Sequence, residues 1–340
     1  MSGKVEHGGA LDLAIARHGG ARGDWLDLST GINPWAWPWP ARRPAVPAQC
    51  LARLPLAADL GRLIAAARIA YRVPDRLGIV AAPGAQALID ALARFLPGKT
   101  ASVLAGGNGT YSEYARRSAA SGRRVRMVAS VDDLAMRERL VWVCRPNNPD
   151  GVSLPPETLI ALCERQANGF VVIDESFADA GGGLAPARLP ANAVLLRSFG
   201  KFYGLAGLRL GFAILARPLD AALADAIGPW AVSGLAIEIG AAALADRKWR
   251  GDMRARLRAR SDALARLIAR SGLKVAGRNP LFVLARHPRA ADLALALADR
   301  HILVRSFSDR PQLLRFGLPP SEAAQSRLAR ALRDAQRAVR

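Results

Sequence analysis

Lys201 lies among glycines and aromatics in the run Arg197-Ser-Phe-Gly-Lys-Phe-Tyr-Gly-Leu-Ala-Gly-Leu-Arg-Leu-Gly-Phe212. Ser198 stands three residues before it and Arg209 eight residues after it. Apolar strands are predicted on either side, over 193–196 and 211–215, so the lysine belongs to a loop between buried strands. Desolvation there favours the neutral amine, the form that attacks a carbonyl. A hydroxyl donor and a fixed cationic fork are what a phosphate requires. An amine beside a phosphate cradle points to a Schiff base with pyridoxal phosphate. The competing reading is an ordinary loop lysine, so the rest of the chain must supply the other parts of such a site.

The chain has 340 residues, enough for a full core and two unequal domains. Its apolar fraction of 51% fits a packed fold, and no apolar run approaches the roughly 18 residues of a membrane span. Met1–Ala10 has no apolar leader segment. Cys50, Cys144 and Cys163 are too widely spaced for a disulfide framework or a metal site, so a cytoplasmic protein without a metal is expected. The net charge of +20 comes largely from arginines scattered along Ala/Leu/Arg-rich stretches such as 249–270 and 321–340. These read as solvated helix faces. A basic nucleic-acid-binding protein is a remote alternative, since no helix-turn-helix or stacking-aromatic module accompanies them. A phosphorylated substrate also suits a basic cleft.

Residues 1–48 form an irregular opening. It holds His7-Gly-Gly, His18-Gly-Gly, Asp27-Leu-Ser-Thr-Gly-Ile-Asn-Pro34 and a Trp/Pro run at 35–40. Glycine and proline at this density argue against long regular elements. A helix is predicted over 59–71 and a strand over 77–82. Pro83-Gly-Ala-Gln86 then opens a helix over 87–96, a strand, turn and helix N-terminus of the kind that binds anions. Gly98-Lys-Thr100 resembles the tail of a P-loop but lacks its first glycine and is followed by a strand, not a helix. Tyr111 ends a glycine-rich turn after the strand at 101–104, where it would stack on a planar ring or simply pack. Strands over 123–128 and 139–144 follow, and the second runs into Arg145-Pro-Asn-Asn-Pro-Asp-Gly151. A helix over 156–168 leads to a buried strand ending at Asp174-Glu-Ser-Phe177. A carboxylate at such a strand tip is either catalytic or a loop salt bridge. The organisation predicted is an arm over 1–48, a large domain over 49–217, and helices with a small αβ domain over 218–340. In the last, Arg305 and Arg315 stand at strand ends.

Taken in order, Gly84–Gln86, Tyr111, Asn148, Asp174, Ser198/Lys201/Arg209 and Arg315 resemble the fold-type I pyridoxal-phosphate enzymes of the aspartate aminotransferase superfamily. The Ser-x-x-Lys…Gly-x-Arg-x-Gly-Phe block matches in full, and Asn-Asn-Pro-Asp-Gly matches Asn-Pro-Thr-Gly with Asp150 in place of threonine. The resemblance implies an α/β fold with a large, mostly parallel sheet flanked by helices and a smaller α/β C-terminal domain. It implies that Lys201 bears the cofactor, Asp174 faces the ring nitrogen, Asn148 bonds the phenolic oxygen and Tyr111 stacks on the ring. Ala85, Gln86, Ser198 and Arg209 would hold the phosphate, and Arg315 the substrate carboxylate. It also implies a homodimer. Two positions depart from the pattern. Phe177 stands where the family often has tyrosine, and Leu54 stands where many members send a tyrosine across the dimer.

The His7-Gly-Gly opening, the 27–34 segment, Lys201-Phe-Tyr and Asp-Glu-Ser-Phe resemble the branch that decarboxylates threonine phosphate for cobalamin assembly. This implies a lyase converting L-threonine O-3-phosphate to (R)-1-aminopropan-2-yl phosphate and carbon dioxide. His7, Gly31, Asn33, Asn148, Arg305 and Arg315 would then contact the substrate. The histidinol-phosphate aminotransferases are the nearest alternative.

Overall fold

The structure, a computed structural model, describes residues 8–42, 47–135 and 138–339. Its strands in chain order are β1 (Leu26–Leu28), β2 (Leu77–Ala82), β3 (Thr100–Leu104), β4 (Arg124–Val128), β5 (Leu140–Cys144) and β6 (Phe170–Asp174), followed by β7 (Ala193–Ser198), β8 (Gly211–Ala216), β9 (Lys274–Asn279), β10 (Phe282–Arg286), β11 (Ile302–Ser306) and β12 (Leu313–Gly317). They form one seven-stranded and one five-stranded sheet, each in its own compact unit.

The larger unit comprises Ala36–Asn148 and Val152–Met253. Its sheet runs β2-β8-β7-β6-β5-β3-β4, parallel except for β8, which is antiparallel to both neighbours. Every residue of β5 is buried, as expected of a parallel strand covered on both faces. Helix Ala85–Phe95 presents Leu88, Ile89 and Leu92 to a core that also contains Trp142, Val172, Val194 and Leu196. The helices at 219–227 and 234–245 pack on β2 and on helix Ala57–Tyr71. The contacts thus divide the chain at 253/254, whereas the sequence reading divides it at 217/218. The Ala-rich composition of these helices resembles that of the helix after them and conceals which sheet they cover.

The smaller unit comprises Met1–Trp35, Pro149–Gly151 and Arg254–Arg340. Its sheet order is β1-β11-β12-β10-β9, with β1 parallel to β11 and the other pairs antiparallel. The opening segment is more regular than its glycine content implies. Leu11–His18 is a helix, and its Ala14 packs with Trp25 and Ala298. Among the described residues, no helix is long and apolar enough to cross a membrane.

Candidate active site

The residues expected to act in the larger unit include those at and just past the tips of β5, β6 and β7. Asp174, the last residue of β6, is 3% exposed. One of its carboxylate oxygens accepts from the Tyr114 hydroxyl at 2.7 Å; the other accepts from the Ser176 backbone N–H at 2.8 Å and hydroxyl at 2.5 Å. Three donors fix the carboxylate and leave it further acceptor capacity. Burial pushes the Tyr114 phenol well above its usual range, so it remains a donor at neutral pH. Tyr114 also stacks on Trp142 and meets the edge of Tyr111 at 5.5 Å between ring centres. Sequence reasoning missed Tyr114. Its one available signal was its place one helical turn after Tyr111.

From Tyr111 the contacts continue to the phosphate turn. Its hydroxyl, also pushed up by burial, donates to Gln86 Oε1 at 2.9 Å. Gln86 lies in the first turn of helix Ala85–Phe95, whose N-cap, Gly84, has φ +88° and supplies no side chain to cap the first N–H groups. A Cβ on Gly84 would lie 2.8 Å from Nη2 of Arg209, and one on Gly211 would lie 2.5 Å from the Ala85 nitrogen. Only glycines let the guanidinium and β8 approach this helix end so closely. Ser198 pairs with Gly211 across β7 and β8. Arg209 itself adopts left-handed backbone at φ +54°, an uncommon conformation for a residue with a side chain. Ala85, Gln86, Ser198 and Arg209 therefore surround one helix N-terminus, whose dipole and free N–H groups favour an anion.

Lys201 does not sit in an irregular loop; it lies in a one-turn helix, Phe199–Phe202, directly after β7. Its ammonium is 5.6 Å from the ring centre of Phe177, three residues past Asp174. Tyr203, beside the lysine turn, is stacked between Phe199 and Trp249, which holds that turn against the unit. Asn148 is half-buried. Its neighbour Asn147 accepts from Thr110 Oγ1 at 2.7 Å and donates to the Gly109 carbonyl at 2.9 Å, tying the turn to the segment that bears Tyr111. All the cofactor-binding residues expected in this unit are thus connected through short contacts or chain adjacency.

Beneath these groups lies a buried charge network that the sequence reading did not anticipate. Glu175, fully buried, accepts from Arg145 Nη1 at 2.6 Å and from the Leu184 N–H at 2.8 Å, and pairs with Arg197 Nη2 at 2.8 Å. Arg197 also bonds Asp179 at 3.2 Å, and Asp179 accepts from the Tyr71 hydroxyl. Burial opposes the Arg197 charge, but Glu175 and Asp179 outweigh it and hold the guanidinium above its ordinary pKa. Two cations and two anions balance. Glu175→Gln is expected to lower unfolding stability by about 3–5 kcal/mol, because it leaves two buried guanidinium groups against one carboxylate. Denaturant midpoints of the cofactor-free proteins measure this; equal midpoints would mean that the network does not stabilise the fold.

In the smaller unit, Arg305 and Arg315 stand directly opposite each other on β11 and β12. Like charges so placed repel, and an anion between them offsets the repulsion. Burial and then Arg305 pull the Arg315 guanidinium down to about 10, which leaves it charged at neutral pH. Arg315 Nη2 donates to the Ser29 carbonyl at 3.1 Å. Gly31 and Asn33 are buried in the segment that follows, and Asn33 Oδ1 accepts from the Trp35 N–H. His7 lies outside the described residues. Among the described residues, no cluster of metal-ligating side chains occurs.

A helix N-terminus flanked by Ser198 and Arg209, a fixed buried carboxylate, a half-buried tyrosine and a half-buried lysine fit a phosphorylated, planar, nitrogen-containing aldehyde. The aminotransferase class I and II family model matches residues 65–332, and the chain belongs to that family. Among its relatives, a threonine-phosphate decarboxylase of Sinorhizobium sp. is 42% identical over 98% of both chains. One from Pseudomonas aeruginosa is 41% identical over 96% of this chain and 97% of its own. A solved structure of histidinol-phosphate aminotransferase from Sinorhizobium meliloti, in complex with pyridoxal-5'-phosphate, aligns with TM-score 0.83 at 22% identity, covering 100% of this chain and 96% of the other.

Proposed function

We propose that this protein is a pyridoxal-phosphate-dependent threonine-phosphate decarboxylase that releases carbon dioxide from L-threonine O-3-phosphate and leaves (R)-1-aminopropan-2-yl phosphate. The observation that carries the reading is full-length identity of 41–42% to two decarboxylases of this specificity. The product is the phosphorylated aminopropanol that cobalamin assembly uses.

When bound, the cofactor supplies an electron-withdrawing ring that takes up the electron pair of a bond broken at the substrate Cα. Lys201 would hold it covalently through Nζ, and its amine would be the group that donates a proton to the substrate Cα. Asp174, kept in place by Tyr114 and Ser176, keeps a proton on the ring nitrogen. Ser198, Arg209 and the N–H groups of Ala85 and Gln86 would hold its phosphate, Asn148 would bond its phenolic oxygen, and Tyr111 would pack against its ring. Phe177 lacks the hydroxyl of a tyrosine, so Asn148 carries more of the bonding to that oxygen. Arg315 binds the substrate carboxylate, while Arg305 and His7 bind its phosphate, with Gly31 and Asn33 lining the same segment. Residues that orient the substrate carboxylate would select decarboxylation over transamination.

The rival reading is a histidinol-phosphate aminotransferase, which shares the fold. Release of carbon dioxide from threonine phosphate, set against glutamate-dependent transamination of imidazole-acetol phosphate, separates the two. Transamination without carbon dioxide would overturn the proposal. Arg305→Ala is expected to raise KM for threonine phosphate about 10–100-fold, the cost of a charge-assisted bond. An unchanged KM would move the phosphate site elsewhere. The same reading makes the protein a cytoplasmic homodimer. Leu51, Leu54 and Leu56 are exposed along one segment and supply an apolar surface for a second copy.

A further inference from the structure

Ser29 is 2% exposed, and its N–H, hydroxyl and carbonyl are all hydrogen-bonded. Its backbone N–H and its hydroxyl both donate to Asp27 Oδ1, at 2.8 and 2.6 Å. The same hydroxyl accepts from the Gly9 N–H at 2.8 Å. Its carbonyl accepts from Arg315 Nη2. A Cβ on Gly8 would lie 2.4 Å from that carbonyl oxygen, so the glycine turn rests directly on the group that orients the arginine. A single peptide therefore fixes two things: the backbone next to His7 in the chain, and the direction of the Arg315 guanidinium.

We propose that Ser29 is a positioning residue that couples the Gly8–Gly9 turn to Arg315, so that docking of the turn and binding of the substrate's anionic groups reinforce each other. This rests on the decarboxylase reading and extends it to a residue that touches neither cofactor nor substrate. Asp27 holds the Ser29 hydroxyl proton and thereby turns the oxygen's lone pair toward Gly9. Without the hydroxyl, the Gly9 N–H loses its acceptor and the turn leaves the carbonyl. Arg315 then keeps its bond to the Ser29 carbonyl but loses the packing that fixes the carbonyl's direction. The effect falls on binding and not on bond breaking, because nothing in the cofactor-holding unit changes.

The test is calorimetric titration of holoenzyme with threonine phosphate, alongside steady-state kinetics, for wild type, Ser29→Ala, Gly8→Ala and the double variant. Ser29→Ala and Gly8→Ala should each weaken binding about tenfold, the scale of one lost hydrogen bond, with kcat within about threefold of wild type. Gly8 is exposed, so its variant tests the idea even if Ser29→Ala folds poorly. The double variant should bind no more weakly than the worse single variant, because both break one coupling. Full additivity, or unchanged binding in both single variants, would overturn the coupling. Absence of binding to wild-type holoenzyme would overturn the substrate assignment, and this inference with it.

Discussion

Lys201→Ala is expected to abolish turnover while leaving the fold intact. The residue is half-buried in a one-turn helix whose place is set by other groups: Phe199 and Phe202 are fully buried, and Tyr203 is stacked between Phe199 and Trp249. Removing the amine therefore costs little packing. On the proposed reading it eliminates both the covalent hold on the cofactor and the proton donor to Cα. General acid catalysis alone is worth about 10²–10⁴-fold, and loss of the covalent attachment compounds it. Activity should fall below detection, and borohydride reduction in the presence of pyridoxal phosphate should label wild type but not the variant. Circular dichroism should be unchanged. Measurable turnover by the alanine protein would remove Lys201 from its role.

Asp174→Asn ranks second. The carboxylate now accepts three hydrogen bonds, two on one oxygen and one on the other. Asparagine has one acceptor oxygen and an amide that donates, so at least one of these donors faces another donor. It also removes the negative charge that the proposed reading sets against the ring nitrogen. Loss of one preorganised electrostatic partner costs about 10²–10³ in rate, and a loss of this size or larger is expected in kcat. The absorbance spectrum of bound cofactor should change as well, which a purely structural defect would not produce. A rate near wild type would place the ring nitrogen elsewhere.

The parts of this site that were legible in the sequence are those whose chemistry is carried by residue type in a fixed local order. Ser198, Lys201 and Arg209 fall in one short block, and Asp174 ends an apolar run that can only be a buried strand. The Gly84–Gln86 turn gave only a weak local signal, since glycine is an ordinary residue before a helix, and it gained meaning from the other motifs in order. What escaped notice depends on distant parts of the chain meeting. Tyr114 reaches Asp174 across sixty positions, and nothing local distinguishes it from a packing tyrosine. Glu175 and Arg197 read as neighbours of important residues, not as partners of each other. β1 has three residues, too few for alternation to register, and β9 is an edge strand whose Lys274-Val-Ala-Gly-Arg-Asn279 sequence has no apolar face. Both are held by partners, not by their own pattern.

The reversed direction of β8 has a consequence for how this site tolerates change. A parallel successor to β7 would need a crossover, and would begin at the far edge of the sheet from where β7 ends. Because β8 runs the other way, the twelve-residue excursion from Phe199 to Leu210 departs from and returns to the same rim. Lys201 and Arg209 therefore travel as one cassette anchored at both feet. Lengthening or shortening that cassette would shift Lys201 against Arg209 and would also move Phe199, Phe202 and Tyr203 out of the core they fill, so its length is fixed by packing as well as by the site.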